Sequence, residues 1–258
     1  MTRTRRLSEL TWPEVRDRAA GGAAVVVPVG STEQHGYHLP LCTDVVLPEQ
    51  LALAVAETVD VLVAPPIAYG YRSRPLSGGG EGFPGTISLS GRTLMSVLED
   101  VLLGLARSGF SRVVVLNWHY ENSNFVYEAA RLAHDRWPGT PARVMVVEAA
   151  FAELSGEVID NLFEGEFHGW DIEHAAILET SLMQHLRPHL VHFERAVDDR
   201  AARHPFYDVV PPPAEFIPTS GTLSTATRAS AEKGALAWAE ITRNLRQAVA
   251  SELGVGTP

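Results

Sequence analysis

Four apolar runs punctuate the chain, at Ala23–Val29, Val61–Pro65, Ser111–Leu116 and Ala142–Val147. They are rich in valine and lack the polar alternation of a half-exposed sheet, so each reads as a strand buried on both faces. Around them lie segments with helical spacing. Thr11-Trp12-Pro13 opens a helix with proline in its first turn, and Gly21-Gly22 closes it. Asp44–Thr58 places Leu47, Leu51, Ala54 and Val55 on one face. Ser90 caps a helix carrying Leu94, Val97, Leu98, Val101, Leu102 and Leu105 inward and stopping at Gly109. Ser123–Arg136 is a further helix. Another is expected from Gly169–His174 to about Arg187, with Asp171 as its N-cap, and a last one over Ser230–Leu253 with Leu236, Ile241, Leu245 and Val249 inward. Strand and helix alternating in this way predict an α/β fold with a mostly parallel sheet.

Three stretches lack a period. Ile67–Ser88 contains SGGGEGFPGT at Ser77–Thr86, too rich in glycine for regular structure but suited to the wall of a site, with Ser77 offering a hydroxyl. Phe151–Phe167 reads as an irregular acidic loop, and His192–Thr225 as a long proline-stiffened one. No repeat and no linker divides the chain, so residues 1–258 are expected to form one domain.

Composition narrows the partners. A formal net charge of −10 leaves no basic face for a phosphate backbone, so no nucleic-acid partner is expected. No apolar run approaches the ~20 residues of a membrane span, and no apolar segment follows the N-terminal arginines as in a signal peptide. Cys42 is the single cysteine, which excludes an internal disulfide framework and fits a reducing cytoplasm.

The chemistry concentrates at two strand ends. Directly after the first strand, Gly30–Asp44 offers Glu33, His35, His38 and Asp44. Carboxylate and imidazole are ligands that zinc and manganese prefer. Glu33 and His35 are two apart, so in an extended segment their side chains share one side. After the third strand, His119 and Glu121 repeat that spacing, and both pairs should emerge at one edge of a parallel sheet. Two such pairs together with Asp44 predict a two-metal site. Further on, Trp170, Asp171 and His174 could aim an indole, a carboxylate and an imidazole at one place.

These motifs, STEQHG…TD, YGYRS…SGGGEGFPGT, NWHYENS, GWDIEHAAILETSLM and the final GTLS…EKG helix, resemble the creatininase (creatinine amidohydrolase) family, nearest its creatinine-hydrolysing branch. The resemblance implies a three-layer α/β/α sandwich, assembled as a homohexamer, and a metal-dependent hydrolase of C–N bonds. It places one ion on Glu33, Asp44 and His119 and the other on His35, Asp44 and Glu121, the two being Zn²⁺ and/or Mn²⁺. Ser77, Tyr120, Trp170, Asp171 and His174 would line the substrate pocket. The expected reaction opens a small cyclic amide such as creatinine, by attack of a hydroxide held between the ions. Glu121 and His174 are its catalytic residues, His174 as general acid. The alternative is a larger cyclic or a linear amide, such as a formamide or peptide bond. One departure bears on this choice. Ala149-Ala150 stand where the creatinine enzymes carry a Tyr-Trp pair whose tryptophan closes over the substrate.

Overall fold

A computed structural model describes residues 4–74, 80–139, 142–200, 207, 209–210 and 213–256. Its strands are β1 (Ala24–Val29), β2 (Val61–Val63), β3 (Arg112–Asn117) and β4 (Arg143–Val147). They form one sheet in the order β2-β1-β3-β4, parallel at every pairing. The register sets Val29 opposite Asn117, so β1 and β3 end together.

Alternation across the sheet builds two cores. Val25, Val27, Val113 and Val115 point to one side and pack with α3 (Gly91–Arg107), α4 (Ser123–Asp135) and Ala19 of α1 (Trp12–Ala20). Ala24, Val26, Val114 and Leu116 point to the other. There they meet α2 (Thr43–Ala56), α5 (Gly156–Phe163), α6 (Ile177–Leu186) and α7 (Ala231–Leu253). This is the expected α/β/α layering. Both faces of the sheet are covered, which is why its strands show no polar alternation.

Three expectations need correction. Phe151–Phe167 is not irregular throughout, because Ser155 caps α5 by accepting from the Val158 N–H. Its apolar face, Val158, Leu162 and Phe163, is only three residues strong and hides among acids. The helix expected from Asp171 begins later. Trp170–Ile172 is a single 3₁₀ turn, and α6 starts at Ile177 after Ala175, whose φ of 51° lies in the left-handed region. Asp171 is therefore no N-cap of α6. Leu236 is 40% exposed and Val97 37% exposed, each at the rim rather than the centre of its helix's apolar stripe. Ser77 and its glycine neighbours at 78–79 lie outside the described residues.

The connections place a crevice. From β1 the chain steps outward to β2, then crosses back over β1 to β3. Neighbouring strands whose loops leave in opposite directions make a gap beyond their carboxyl ends, where open α/β sheets bind ligands. Gly30 closes the base of this gap. A Cβ there would stand 2.1 Å from the Asp44 carbonyl oxygen, so only glycine lets β1 end against the first turn of α2. Pro48 has no N–H to give that carbonyl, which keeps the first turn of α2 open on this side. Gly30→Ala should cost ~1–3 kcal/mol through overpacking against backbone. Its thermal midpoint should fall by ~2–4 °C per kcal/mol lost, as read by scanning calorimetry. An unchanged midpoint would mean that the contact is softer than drawn.

Candidate metal centre

Asp44 sits in the first turn of α2, buried, with a carboxylate oxygen toward each of two imidazoles. His35 Nε2 is 3.1 Å from its Oδ1, and His119 Nδ1 is 3.1 Å from its Oδ2. Glu33 Oε1 approaches His119 Nδ1 at 2.9 Å, and Ser73 donates to the other oxygen of Glu33. The far nitrogens are tied to backbone: His35 Nδ1 lies 3.2 Å from the Glu33 carbonyl, and His119 Nε2 lies 2.8 Å from the Tyr71 carbonyl. Each ring can therefore donate outward and present a lone pair inward, the tautomer that a metal ligand requires.

The electrostatics carry the same message. Burial alone would lower His35, but Asp44, Glu179 and Glu33 outweigh it and push it up to about 10. His119 is likewise buried, yet Glu33, Asp44 and Glu121 raise it well above the ordinary imidazole value. Asp44, despite burial, is held far below the carboxylate range by the two histidines. Protons here stand in for cations. A buried site with this surplus of carboxylate is one that divalent ions would neutralise.

Three sets of donor atoms lie within 4.8 Å of one another: Glu33, Asp44 and His119; His35, Asp44 and Glu179; and Glu33, His35 and His174. The first is the set expected from the sequence. In the second, Glu179 stands beside His35 and Asp44. Glu121 lines the same cavity with its Oε2 3.5 Å from His119 Nε2, and its Oε1 accepts from the Arg74 N–H at 3.3 Å. Sequence reasoning passed over Glu179. Its signal was an acid inside the buried run Ile177–Met183, where a glutamate needs partners.

Above the carboxylates is a cavity of about 40 Å³, walled by Trp118, Tyr120, Phe151, Trp170 and Asp171. That is room for a few waters, about one per ~10–15 Å³. Tyr120, Glu121 and Asp171 also border an outer chamber of about 490 Å³, together with Arg74 and Glu148. The expected pocket residues Tyr120, Trp170, Asp171 and His174 thus meet at one cavity. Phe151, one residue beyond Ala150, adds a ring that contacts Trp170 at 5.1 Å and Trp118 at 5.2 Å between centroids. An aromatic wall is present although Ala149-Ala150 are small. Sequence reasoning, fixed on the two alanines, missed it.

His174 is buried and pushed down to about 3, first by burial and then by His35, so its ring is neutral. Its Nε2 lies 2.9 Å from both the backbone oxygen and the side-chain Nε2 of Gln34. Gln34 is itself fixed, accepting from the Gly36 N–H and donating to the Gly221 carbonyl, each at 2.9 Å. Gly221 has φ 78°, and a Cβ there would stand 1.8 Å from Gln34 Oε1. His38, by contrast, is turned to Thr180 Oγ1 at 2.8 Å, and burial pushes it down to about 4.

An α/β protein whose switch-point crevice gathers buried carboxylates and imidazoles under an aromatic wall has the donor set of a metal-binding protein. A family model described as creatinine amidohydrolase matches residues 8–249. The chain belongs to the creatininase family. It is 43% identical to the creatinine amidohydrolase of Pseudomonas putida over 250 residues, 95% of this chain and 96% of that one. A mutant creatininase solved in complex with creatine superposes with a TM-score of 0.93 at 41% identity, covering 97% of this chain and 99% of the other. A creatininase described as the Mn form gives a TM-score of 0.92, also at 41% identity and with the same coverage.

Gly221→Ala should destabilise the protein by ~1–3 kcal/mol, since it adds both a Cβ clash and an unfavourable positive φ. A crystal structure of the variant should show the Gln34 amide displaced from His174. An amide left in place would mean that Gly221 does not set its position.

Proposed function

We propose that the chain is a metal-dependent amidohydrolase that opens a small cyclic amide such as creatinine. The observation that carries this reading is the buried Asp44 carboxylate shared by two imidazoles and flanked by further carboxylates, directly beneath an aromatic-walled cavity. Glu33, Asp44 and His119 would hold one divalent ion, and His35, Asp44 and Glu121 the other, with Asp44 shared. N and O donors suit Zn²⁺ or Mn²⁺, and the Mn form of a close relative supports the choice. Such ions polarise a carbonyl and lower the pKa of bound water towards ~7.

The chain's own residues do the rest. Trp170 and Phe151 offer flat faces for a planar ring, and Asp171 at the cavity mouth can pair with a guanidinium-like group. Glu121 lies where substrate passes from the outer chamber to the inner cavity. His174 has Nε2 anchored to Gln34 and Nδ1 3.9 Å from Glu33 Oε1, so Nδ1 is the atom that carries the proton. Being neutral at rest, the ring takes a proton from the attacking water and then gives it to the leaving nitrogen as general acid. The family pattern makes Ser77 a further substrate-binding residue.

Family membership supports a homohexamer acting in the cytoplasm. Among the described residues, no helix is long and apolar enough to cross a membrane. The outer chamber favours a second reading, hydrolysis of a bulkier cyclic amide or a linear one.

Three outcomes test the proposal. Protein loaded with Zn²⁺ or Mn²⁺ should open creatinine in a direct assay, run beside N-substituted cyclic amides, formamides and short peptides. Turnover confined to the linear substrates would decide for the second reading. His174→Asn should keep its metal by elemental analysis and lose ~10²–10⁴-fold in kcat. Loss of metal instead would make His174 a ligand. Asp44→Ala should disturb both ions together, and survival of one tightly held ion would refute a shared carboxylate.

A further inference from the structure

Two buried asparagines are left without a task by the reading above. Asn117 ends β3 and Asn122 lies just past His119, and neither side chain reaches solvent. A buried amide costs free energy unless its donors and acceptors are met. Here all of them are. Asn122 Nδ2 donates to the Gly30 carbonyl at 3.0 Å and to Asn117 Oδ1 at 3.1 Å, while Asn122 Oδ1 accepts from the Tyr71 N–H at 2.7 Å. Asn117 Nδ2 donates to the His119 carbonyl at 2.7 Å and to the Glu148 carbonyl at 3.4 Å. These partners fix the amide orientations. A flipped Asn122 would set its NH₂ against the Tyr71 N–H and its oxygen against the Gly30 carbonyl.

The places joined give the pair its meaning. Gly30, Asn117 and Glu148 mark the carboxyl ends of β1, β3 and β4, and Tyr71 belongs to the loop that follows β2. Two side chains therefore tie together the sheet edge from which Glu33, His35 and His119 emerge. Tyr71 carries the tie to the centre itself. Its carbonyl lies 2.8 Å from His119 Nε2, which keeps the proton of the neutral ring there and leaves Nδ1 facing Asp44 and Glu33. The peptide that precedes it is clamped on both sides. The Gly70 carbonyl accepts from the Leu89 N–H at 2.8 Å, and the Tyr71 N–H goes to Asn122. A Cβ on Gly70 would stand 2.6 Å from the Gly30 carbonyl oxygen and 2.9 Å from Asn122 Oδ1, so only glycine brings this loop so close.

We propose that Asn122 is a positioning residue for His119. It holds Tyr71, and through the Tyr71 carbonyl it sets the tautomer and the aim of the imidazole before any ion arrives. This rests on the binuclear metal reading given under the proposed function. Asn117 supports the same ring from the other side, by holding the His119 carbonyl.

The test reads metal affinity, not turnover. Wild type, Asn122→Ala, His119→Ala and the double variant are stripped with chelator and checked for folding by circular dichroism. Each is then titrated with Zn²⁺ against a chromophoric chelator. Asn122→Ala should weaken one binding step by ~10–100-fold, the usual effect of losing an outer partner of a ligating histidine. The other step should stay within about twofold. In the His119→Ala background the same substitution should also change the remaining affinity by no more than about twofold, because its route of action is gone. Both steps unchanged in Asn122→Ala, both weakened alike, or a further loss in the His119→Ala background would each overturn the proposal. Should Asn122→Ala not fold, Asn122→Ser carries the test. Its hydroxyl keeps a donor beside the Gly30 carbonyl but is too short to hold the Tyr71 N–H, so the same outcomes apply. Wild type binding fewer than two ions would defeat this proposal and the binuclear reading together. Inactivity on every amide, with Asn122→Ala still weakening one step, would defeat the hydrolase reading alone.

Discussion

The buried carboxylate of Asp44 is the constraint on which the rest of the structure depends. An anion removed from water must be compensated on the spot, and Asp44 meets an imidazole at 3.1 Å on each oxygen. Those imidazoles come from different places, one from the loop after β1 and one from the end of β3. Bringing them to one carboxylate requires β1 and β3 to be neighbours that end in register, which the parallel pairing of Val29 with Asn117 provides. It also requires the first turn of α2 to press against the end of β1. Gly30 permits that approach by lacking a side chain. Strand order, register and a single glycine are thus consequences of where one charge must sit.

The same constraint separates what the sequence revealed from what it did not. Valine runs without polar alternation announced β1 to β4. In β1, β2 and β3 burial on both faces leaves no other pattern, whereas β4, at the sheet edge, is only half-buried and not the fully covered strand its sequence predicts. Glu33, His35, His119 and Asp44 were legible because ligand-type residues clustered immediately after those runs. Residues of the surrounding layer were not. Glu179 is five positions past His174 and looks like one acid in a helix. Only the turn at Trp170–Ile172 and the left-handed Ala175 swing it under His35. The late start of α6 escaped notice for a related reason. Asp171 has the chemistry of a cap, but the backbone bond pattern that would use it is absent. In α5 the apolar face is short and ringed by acids, so its period is weak.

Gln34 shows a different kind of illegibility. It lies between two candidate ligands, and its partners are the nearby Gly36 and, from distant parts of the sequence, His174 and Gly221. Nothing local marks it. Yet its backbone oxygen and side-chain amide give His174 Nε2 both an acceptor and a donor at 2.9 Å. Whichever neutral tautomer the ring adopts, Nε2 finds a partner, so the ring need not turn when Nδ1 gains or loses a proton. Fixed geometry through a proton transfer is what general acid–base chemistry asks of a histidine.

The two cavities divide the problem of selectivity. The inner one, about 40 Å³, is bounded by side chains whose positions the buried charges fix, so it constrains the group that reacts. The outer one, about 490 Å³, is bordered by Arg74, Glu148 and the exposed Tyr120, and it constrains far less what is attached to that group. Hydrophobic walls discriminate a single methylene by only ~1–3 kcal/mol, and an open chamber by less. The wall stands although Ala149-Ala150 are small, because Phe151 keeps its contacts with Trp118 and Trp170. Change along this loop can therefore alter what enters, while the carboxylates and imidazoles beneath, coupled through Asp44, leave little freedom to alter what reacts.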